Sequence, residues 1–396
     1  MVVRMAVQTM WPMGFRCLQT SKSHQWSHNP QSGILGNAGV SNACSRKPPC
    51  ESEKLPRRKV NAKVIVSSKT RSRHSEMTDS NVENIVLPRR LIREPKNFLA
   101  APSLASFTSR FGDVYPAPGF LESDLGTTAV YDLAAPSGEA KRRVLLVHGL
   151  NTPALGLLPL AKALQRLDPD AHVVFFDLWG HGLSSTPLVA HTAHIFHSQI
   201  FQVLAFKQWT SAHLLGYSFG ASMLAKFAVY NPRAVDSVAL LAPAGVIDPE
   251  LLGERLRDLL RDSSGREAQA RDAVFEFLGG GSPVVPDDWR ERIGRGEVVA
   301  EAFQDWELKE HPGHRHSVFS MFREGNVYGT EDYFRRFAQL ALKRVVVLGE
   351  TDEVCCKDKL TDLGFTNVEV VEQAGHGVVR KKPEEVARIV YEMWSQ

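Results

Sequence analysis

The chain has 396 residues, of which 43% are hydrophobic and 23% are charged, a composition typical of a globular protein that can bury a large core. No segment approaches the roughly 18 apolar residues that a membrane-spanning helix needs, which argues against an integral membrane protein. The net charge of +3 is uneven, because residues 1–90 carry 15 Lys and Arg against 5 Asp and Glu, a net of +10, and leave −7 for residues 91–396. Nucleic acid is therefore not the expected partner of the acidic, folded part, since phosphate binding requires a basic surface.

Residues 1–95 show no sustained helical or strand period, and we expect them to form a basic, largely disordered leader. Polar residues interrupt the apolar stretch near the start, which argues against a secretory signal. The absence of acidic residues before Glu51 fits a mitochondrial transit peptide loosely. We therefore expect a cytoplasmic protein, with mitochondrial import as the alternative and a flexible leader or a biological start near Met77 as simpler explanations of the segment.

From about residue 109, apolar runs of strand length alternate with helical patterns, which is typical of a parallel sheet with helices on both faces. The predicted strands are Thr127–Leu133, Arg143–Val147, His172–Asp177, Ser211–Tyr217, Val235–Leu241, Arg344–Leu348 and Asn367–Val371. The predicted helices are Ala161–Leu167, His194–Trp209, Phe219–Tyr230 and Pro383–Trp394. The pattern predicts an α/β fold with a mostly parallel, doubly wound sheet.

The alternation stops between residues 246 and 336, where the chain becomes charged and helical in pattern. The clearest helical segments there are Leu251–Leu260, Glu267–Leu278 and Val298–Trp306. We interpret residues 246–336 as a helical cap inserted into a core made of residues 110–245 and 337–396. Segments Val274–Leu278 and Val318–Phe322 of this cap could line a pocket, and we interpret three cap histidines as solvated or pocket-lining: His311, His314 and His316.

The most informative motif is Gly216-Tyr217-Ser218-Phe219-Gly220, a G-x-S-x-G pattern between a predicted strand and a predicted helix. The pattern alone arises by chance in about one chain in ten of this length, so its position carries the argument. A sharp strand-to-helix turn needs glycine on both sides of the serine and lifts the serine hydroxyl above the sheet. We therefore interpret Ser218 as a nucleophile.

A serine hydroxyl is a weak nucleophile and needs a base to accept its proton and an acid to orient that base. His376 follows the last predicted strand, and Asp352 follows the strand before it, so both are expected at the same edge of the sheet as Ser218. Glu350 and Glu353 flank Asp352 and are rival candidates for the acid.

Together these residues resemble the α/β-hydrolase fold superfamily over roughly residues 110–396. Three motifs carry the resemblance, namely His148-Gly149-Leu150-Asn151 after a strand, the D-x-x-G-H-G-x-S pattern from Asp177 to Ser184, and the turn around Ser218. The family's version of the second motif implies that Asp177 and His181 brace loops and do not react.

The resemblance also implies the roles of the site residues. Ser218 would be the nucleophile, His376 the general base and Asp352 the orienting acid. The backbone N–H groups of Leu150 and Phe219 would form the oxyanion hole, which stabilises charge that develops only in the transition state.

This constellation predicts a serine hydrolase that cleaves a small to medium apolar carboxylic ester through an acyl-enzyme intermediate. Serine at the turn excludes the aspartyl chemistry of epoxide hydrolases and haloalkane dehalogenases of this fold. C–C bond hydrolases, thioesterases, acyltransferases, cofactor-free haloperoxidases and aminopeptidases use the same side chains. An aminopeptidase would also need acidic cap residues near a substrate amine, and the candidates are Glu276, Glu301, Asp305 and Glu307. A non-catalytic ligand receptor of hydrolase fold is the alternative from another class.

The expected partner is a small apolar acyl substrate, without nucleic acid, and the sequence makes no prediction of oligomeric state. No organic cofactor and no metal are implied, since the three side chains supply the nucleophile, the base and its orientation. His191, His194 and His197 are spaced three apart, but no carboxylate or cysteine nearby completes a metal site. The five cysteines have no spacing typical of metal binding or of a disulfide framework.

Overall fold

The computed structural model describes residues 97–279 and 282–396, and the prediction of a disordered leader at residues 1–95 lies outside these ranges. Within them, the strands in chain order are β1 Phe98–Leu99, β2 Gly119–Ser123, β3 Gly126–Leu133, β4 Arg142–Val147, β5 Ala171–Phe176, β6 Thr186–Pro187, β7 Ala212–Tyr217, β8 Val235–Leu241, β9 Lys343–Gly349 and β10 Val368–Val371. Strands β1 and β6 form a small antiparallel pair.

The other eight strands form one sheet in the order β10-β9-β8-β7-β4-β5-β3-β2. Neighbours from β10 to β5 are parallel, and β3 and β2 are antiparallel additions at one edge. The predicted α/β class with a mostly parallel sheet is confirmed.

The helices in chain order are α1 Leu104–Phe111, α2 Leu158–Leu167, α3 Ala193–Phe206, α4 Phe219–Tyr230, α5 Gly253–Arg261, α6 Glu267–Phe277, α7 Trp289–Gly294, α8 Ala300–Glu310, α9 His314–Glu324, α10 Glu331–Ala338, α11 Lys357–Asp362, α12 Val378–Lys381 and α13 Pro383–Ser395. Short 3₁₀ turns cover Ala154–Leu157, Pro232–Ala234 and Pro249–Leu252. Across the described ranges, every helix is too short or too polar to cross a bilayer.

Alternate side chains of the central strands enter two separate cores, because successive side chains in a strand point to opposite faces. On β4, Leu145 and Val147 pack with α3 and α4, whereas Val144 and Leu146 pack with α2 and α13. The central strands are buried on both faces, so they form near-continuous apolar runs in the sequence. The sheet is therefore doubly wound, as predicted.

Helices α5 to α10 lie between β8 and β9, where the sequence predicts an inserted segment. Phe277 at the end of α6 and Phe322 of α9 meet edge to face with ring centroids 5.6 Å apart, so part of the insertion has its own apolar contacts. Helix α1 straddles residue 110, the predicted start of the core, and packs against the insertion through Phe107 and Phe111.

Candidate active site

Ser218 stands between β7 and α4 in a backbone conformation that L residues rarely adopt, with φ 53° and ψ −114°. The turn brings α4 against the end of β4. A Cβ atom at Gly220 would lie 2.2 Å from the carbonyl oxygen of Val147, which is closer than any side chain can approach. Glycine at position 220 is thus required by contact with the neighbouring strand, as the G-x-S-x-G pattern predicts.

His376 and Asp352 complete a chain of hydrogen bonds with Ser218. His376 Nε2 lies 3.0 Å from Ser218 Oγ, and its Nδ1 lies 3.1 Å from Asp352 Oδ1. An ionised carboxylate only accepts hydrogen bonds, so Nδ1 carries the hydrogen and Nε2 is free to accept the serine proton. The structure brings the three predicted side chains together at the carboxyl ends of three parallel strands, β7, β9 and β10.

The Asp352 carboxylate is held by its own loop. Its side chain is fully buried, and Oδ1 also accepts hydrogen bonds from the backbone N–H groups of Val354 at 2.9 Å and Cys355 at 3.4 Å. These donors fix the carboxylate orientation and, through it, the imidazole ring of His376.

The rival carboxylates do not occupy this position. Glu350 is exposed and accepts a hydrogen bond from the backbone N–H of Gln373 at 2.9 Å. His376 is hydrogen-bonded to Asp352, while the adjacent Glu353 lies one residue further along the loop. The geometry therefore favours Asp352 as the partner of the imidazole.

The predicted oxyanion donors lie next to the serine. A Cβ atom at Gly149 would lie 2.9 Å from Ser218 Cβ, so the loop that carries Leu150 passes directly beside the nucleophile. Phe219 begins α4, and the first backbone N–H groups of a helix have no acceptor within the helix. The backbone of Leu150 and that of Phe219 thus lie beside Ser218, and their role as oxyanion donors stays a prediction.

A narrow cavity covers Ser218. Its volume is about 20 Å³, enough for about one water molecule, and it is lined by Leu150, Asn151, Tyr217, Ser218, Ala244, Ile247, Leu278, Val327, Val354 and His376. Leu278 and Val327 come from the segment between β8 and β9, so the insertion closes over the serine. Asn151, Tyr217 and Val327 are lining residues that the sequence does not single out, although Asn151 ends the quoted oxyanion-loop motif.

The turn from Asp177 to Ser184 is structural, as its resemblance to the family implies. Asp177 accepts hydrogen bonds from the backbone N–H groups of Ala154 at 2.8 Å and Leu183 at 2.9 Å, and from the hydroxyl of Tyr131 at 3.1 Å. Burial raises the pKa of its carboxyl to about 6 despite these donors. Asp177 therefore braces the loop that follows β4 and the turn that follows β5.

The interpretation of His311 and His314 as solvated or pocket-lining is wrong. Both side chains are buried, and they donate hydrogen bonds to the carbonyl oxygens of Ser184 at 2.9 Å and Gly180 at 3.0 Å, respectively. They attach the insertion to the turn after β5, and the cavity is lined by other residues. His316 is exposed, as predicted.

Three of the four acidic residues considered for amine recognition have other partners. Glu307 is buried and accepts the backbone N–H of Gly182 at 2.7 Å, and Asp305 pairs with Arg110 at 3.1 Å and Lys309 at 2.6 Å. Glu276 is exposed, 3.7 Å from Arg255. These carboxylates and Glu301 lie outside the lining of the cavity.

His191 and His197 also have structural partners. The Nε2 atom of His191 lies 3.2 Å from the carbonyl oxygen of Pro187, and that of His197 lies 3.3 Å from the carbonyl oxygen of Met223. Among the residues that the structure describes, no group of three or more His, Cys, Asp or Glu side chains is arranged to hold a metal ion.

Comparison with known proteins identifies the family and the fold that the chain resembles. The sequence profile of the alpha/beta hydrolase family matches residues 144–389, more than half of the chain. Monoacylglycerol lipase ABHD6 of Rattus norvegicus is 23% identical over 271 residues, which cover 63% of this chain and 74% of the lipase.

Solved structures show the same fold at low sequence identity. The enol-lactonase from Burkholderia xenovorans LB400 superposes with a TM-score of 0.53 at 17% identity, over 70% of this chain and 100% of the lactonase. The meta-cleavage product hydrolase from Pseudomonas fluorescens IP01 gives a TM-score of 0.50 at 19% identity, over 70% of this chain and 98% of that hydrolase.

Proposed function

The chain belongs to the alpha/beta hydrolase family, and on that premise we propose that it is a serine hydrolase that cleaves a small to medium apolar carboxylic ester through an acyl-enzyme intermediate. The observation that carries the proposal is the continuous hydrogen-bonded chain from Ser218 through His376 to the buried carboxylate of Asp352. A serine aligned with a neutral imidazole in this way can act as a nucleophile at neutral pH.

In the first half-reaction, Ser218 Oγ forms a bond to the ester carbonyl carbon while its proton passes to His376 Nε2. The carbonyl oxygen becomes negatively charged and accepts hydrogen bonds from the backbone N–H groups of Leu150 and Phe219. Each such donor accelerates acyl transfer by about 10²–10³. The carbon–oxygen bond to the alcohol then breaks, and the leaving alcohol takes the proton from His376.

In the second half-reaction, water attacks the acyl-enzyme. His376 accepts a proton from the water as its oxygen bonds to the acyl carbon, and it returns a proton to Ser218 Oγ when the acid is released. Asp352 holds the imidazole in one tautomer through both steps and stabilises its charged form.

The lining of the cavity supports an apolar substrate. Six of its residues present aliphatic side chains: Leu150, Ala244, Ile247, Leu278, Val327 and Val354. The four acidic residues considered for an aminopeptidase lie outside the cavity lining, and three of them have other partners, which favours an ester over a peptide with a free amine. The rat relative is named as a monoacylglycerol lipase and the Burkholderia structure as an enol-lactonase.

We also propose that residues 246–336 act as a cap that must move to admit substrate. The cavity holds about one water molecule, whereas an ester is several times larger. Ile247, Leu278 and Val327 are the three lining side chains from this segment, and they would be displaced on binding.

The proposal is tested by labelling the protein with a fluorophosphonate probe and by measuring turnover of chromogenic esters of increasing acyl length. We expect the wild type to be labelled on Ser218, as identified by mass spectrometry, and the Ser218→Ala variant to lose both labelling and turnover. Ser222→Ala is the matched control, because Ser222 lies one turn further along α4 and its hydroxyl is bonded to the carbonyl oxygen of Asn326.

Labelling that persists in Ser218→Ala would contradict the proposal. So would a folded wild type that neither labels nor turns over any ester, a result that would favour a receptor of hydrolase fold or a C–C bond hydrolase.

A further inference from the structure

Two polar residues in the lining of the cavity over Ser218 take no part in the proposed reaction, Tyr217 and Asn151. Ser218 and His376 are bonded to each other, and the Tyr217 ring packs between the imidazole, 5.5 Å away, and the guanidinium of Arg380, 5.4 Å away. Apart from the six aliphatic residues, the remaining lining residue is Asn151.

The backbone of Asn151 places this side chain beside the oxyanion loop. Its φ is 57°, in the left-handed region, which asparagine tolerates better than most residues. It directly follows Leu150, so its carboxamide is attached next to the backbone N–H assigned to the developing oxyanion.

The carboxamide oxygen of Asn151 is an acceptor without a donor. Oδ1 is buried and has no hydrogen-bond partner within residues 97–279 and 282–396. Leaving a buried acceptor without a donor is unfavourable, so a ligand that supplies a donor gains relative to one that does not. Oδ1 itself is shielded in the closed cavity that the residue lines, so a group that displaces the neighbouring lining side chains on binding can supply that donor.

We propose that Asn151 determines specificity and that the substrate is an ester carrying a hydroxyl group close to the scissile carbonyl, so that its O–H donates to Asn151 Oδ1. This inference rests on the proposed ester hydrolysis and adds the substrate class. A hydroxyl on the acyl chain and a hydroxyl on the alcohol portion have the same chemistry, and matched substrates separate them.

The test compares kcat/KM within two pairs of esters. The alcohol pair is 2,3-dihydroxypropyl butyrate and propyl butyrate, and the acyl pair is methyl 3-hydroxybutyrate and methyl butyrate. A site built around a substrate hydroxyl discriminates strongly against the analogue that lacks it. We expect the wild type to prefer the hydroxylated ester by about 10- to 100-fold in at least one pair.

Two substitutions assign the preference to the carboxamide oxygen. Asn151→Gly permits the same backbone conformation without the side chain, and it should bring the ratio within the pair close to one. Asn151→Asp retains an acceptor oxygen and should keep the preference. Gln208→Gly is the control for the backbone, because Gln208 also has φ 57° but is exposed at the end of α3, and it should behave as wild type.

Equal kcat/KM within both pairs would overturn the inference, and so would a preference that survives in Asn151→Gly or is lost in Asn151→Asp. In each of these cases, ester turnover and fluorophosphonate labelling of Ser218 would leave the proposed function standing. Failure of the wild type to label and to hydrolyse all four esters would contradict the proposed function itself.

Discussion

At the scale of single residues, the conformation of Ser218 depends on its neighbours in the sheet. Its backbone N–H donates to the carbonyl oxygen of Leu241 at 2.9 Å, and its carbonyl oxygen accepts the N–H of Ala244 at 3.1 Å. These bonds tie the turn to the end of β8 and offset the cost of an unusual φ, which is about 1–3 kcal/mol. The serine oxygen is thereby held at hydrogen-bond distance from His376 before substrate arrives.

The assignment of the acid gives a prediction for three substitutions. Asp352→Asn should lower kcat for ester hydrolysis by about 10⁴-fold, because an amide that donates to Nδ1 would leave the imidazole in the wrong tautomer. Glu350→Gln and Glu353→Gln should each stay within about threefold of wild type, since neither carboxylate bonds the imidazole. Steady-state kinetics with a chromogenic ester, alongside thermal melts to verify folding, measures all three. A fall in Glu350→Gln or Glu353→Gln as large as that in Asp352→Asn would contradict the assignment.

The sequence predicts much of this site because each residue stands just after a buried apolar run. The order of Ser218, Asp352 and His376 and their positions after strands place them at one edge of the sheet. Which of Asp352 and Glu350 is the acid depends on which carboxylate points inward within a tight loop. In the sequence, only the family's spacing after the strand favours Asp352. The sequence does not predict the role proposed for Asn151, because the lack of a donor for its oxygen among the described residues is a property of the folded cavity.

At the scale of elements, helix α1 packs against the helices inserted between β8 and β9. Phe107 and Phe111 pack, mostly edge to face, against aromatic residues of α7, α8 and the loop before β2. The rings in contact are Phe107, Phe111, Tyr115, Trp289, Phe303 and Trp306. Arg110 adds an ion pair with Asp305 at 3.1 Å. We call these six rings the aromatic cluster.

Removing one ring from the aromatic cluster should destabilise the protein. Phe111 is 3% exposed and its ring centroid lies 4.9 Å from that of Phe303, so Phe111→Ala should lower the free energy of unfolding by roughly 3–5 kcal/mol. Phe206→Ala is the control, because Phe206 is 46% exposed on α3 and its loss should cost less than about 1 kcal/mol. Urea denaturation measures both variants.

Hydrogen exchange then locates the effect. We expect Phe111→Ala to increase exchange in α7 and α8 more than in the central strands, since those helices lose a direct contact. A cost of less than 1 kcal/mol, or faster exchange confined to the sheet, would show that α1 does not hold the insertion.

The sequence predicts the strands that are buried on both faces and misses short or exposed elements. Strands β4, β5, β7 and β8 lie within one or two residues of their predicted bounds, because a strand buried on both faces is a continuous apolar run. Helix α1 was not predicted, since it is short, contains serine and threonine, and gains its contacts from residues nearly 200 positions later. Strand β2, Gly119–Ser123, is a largely exposed edge strand without a strong apolar signal.

At the scale of the whole molecule, buried imidazole groups link the sheet, the turn after β5 and the inserted helices. Burial lowers the pKa of seven histidines from the usual 6.5: to about 3 for His314, well below the usual range for His181, and to about 4 for His148, His191, His197, His213 and His311. All seven are therefore neutral in the folded protein at pH 7, and several bond backbone groups in that form.

These shifts set the sign of the pH dependence of stability. Between about pH 6.5 and pH 4 the unfolded chain binds more protons at these histidines than the folded protein does, so the free energy of unfolding falls as the pH falls. Two buried carboxyl groups oppose the trend, because burial raises the pKa of Asp177 to about 6 and raises that of Glu307 well above its usual range. Seven imidazole groups outweigh two carboxyl groups, so acidification should destabilise the protein overall.

The expected size follows from the proton balance. Near pH 5.5 the unfolded chain binds about four to five more protons than the folded protein, and each contributes about 1.4 kcal/mol per pH unit. The free energy of unfolding should then fall by up to about 6 kcal/mol between pH 6 and pH 5, and a domain stabilised by about 5–15 kcal/mol should unfold above pH 4. Urea denaturation at pH 7, 6 and 5 measures this slope.

The variant His314→Gln keeps a donor toward the carbonyl oxygen of Gly180 without a titrating group. It should therefore reduce the difference in bound protons by about one, and the slope in proportion. A slope that is flat or reversed in the wild type, or unchanged in His314→Gln, would mean that these imidazole groups do not control the acid stability of the fold.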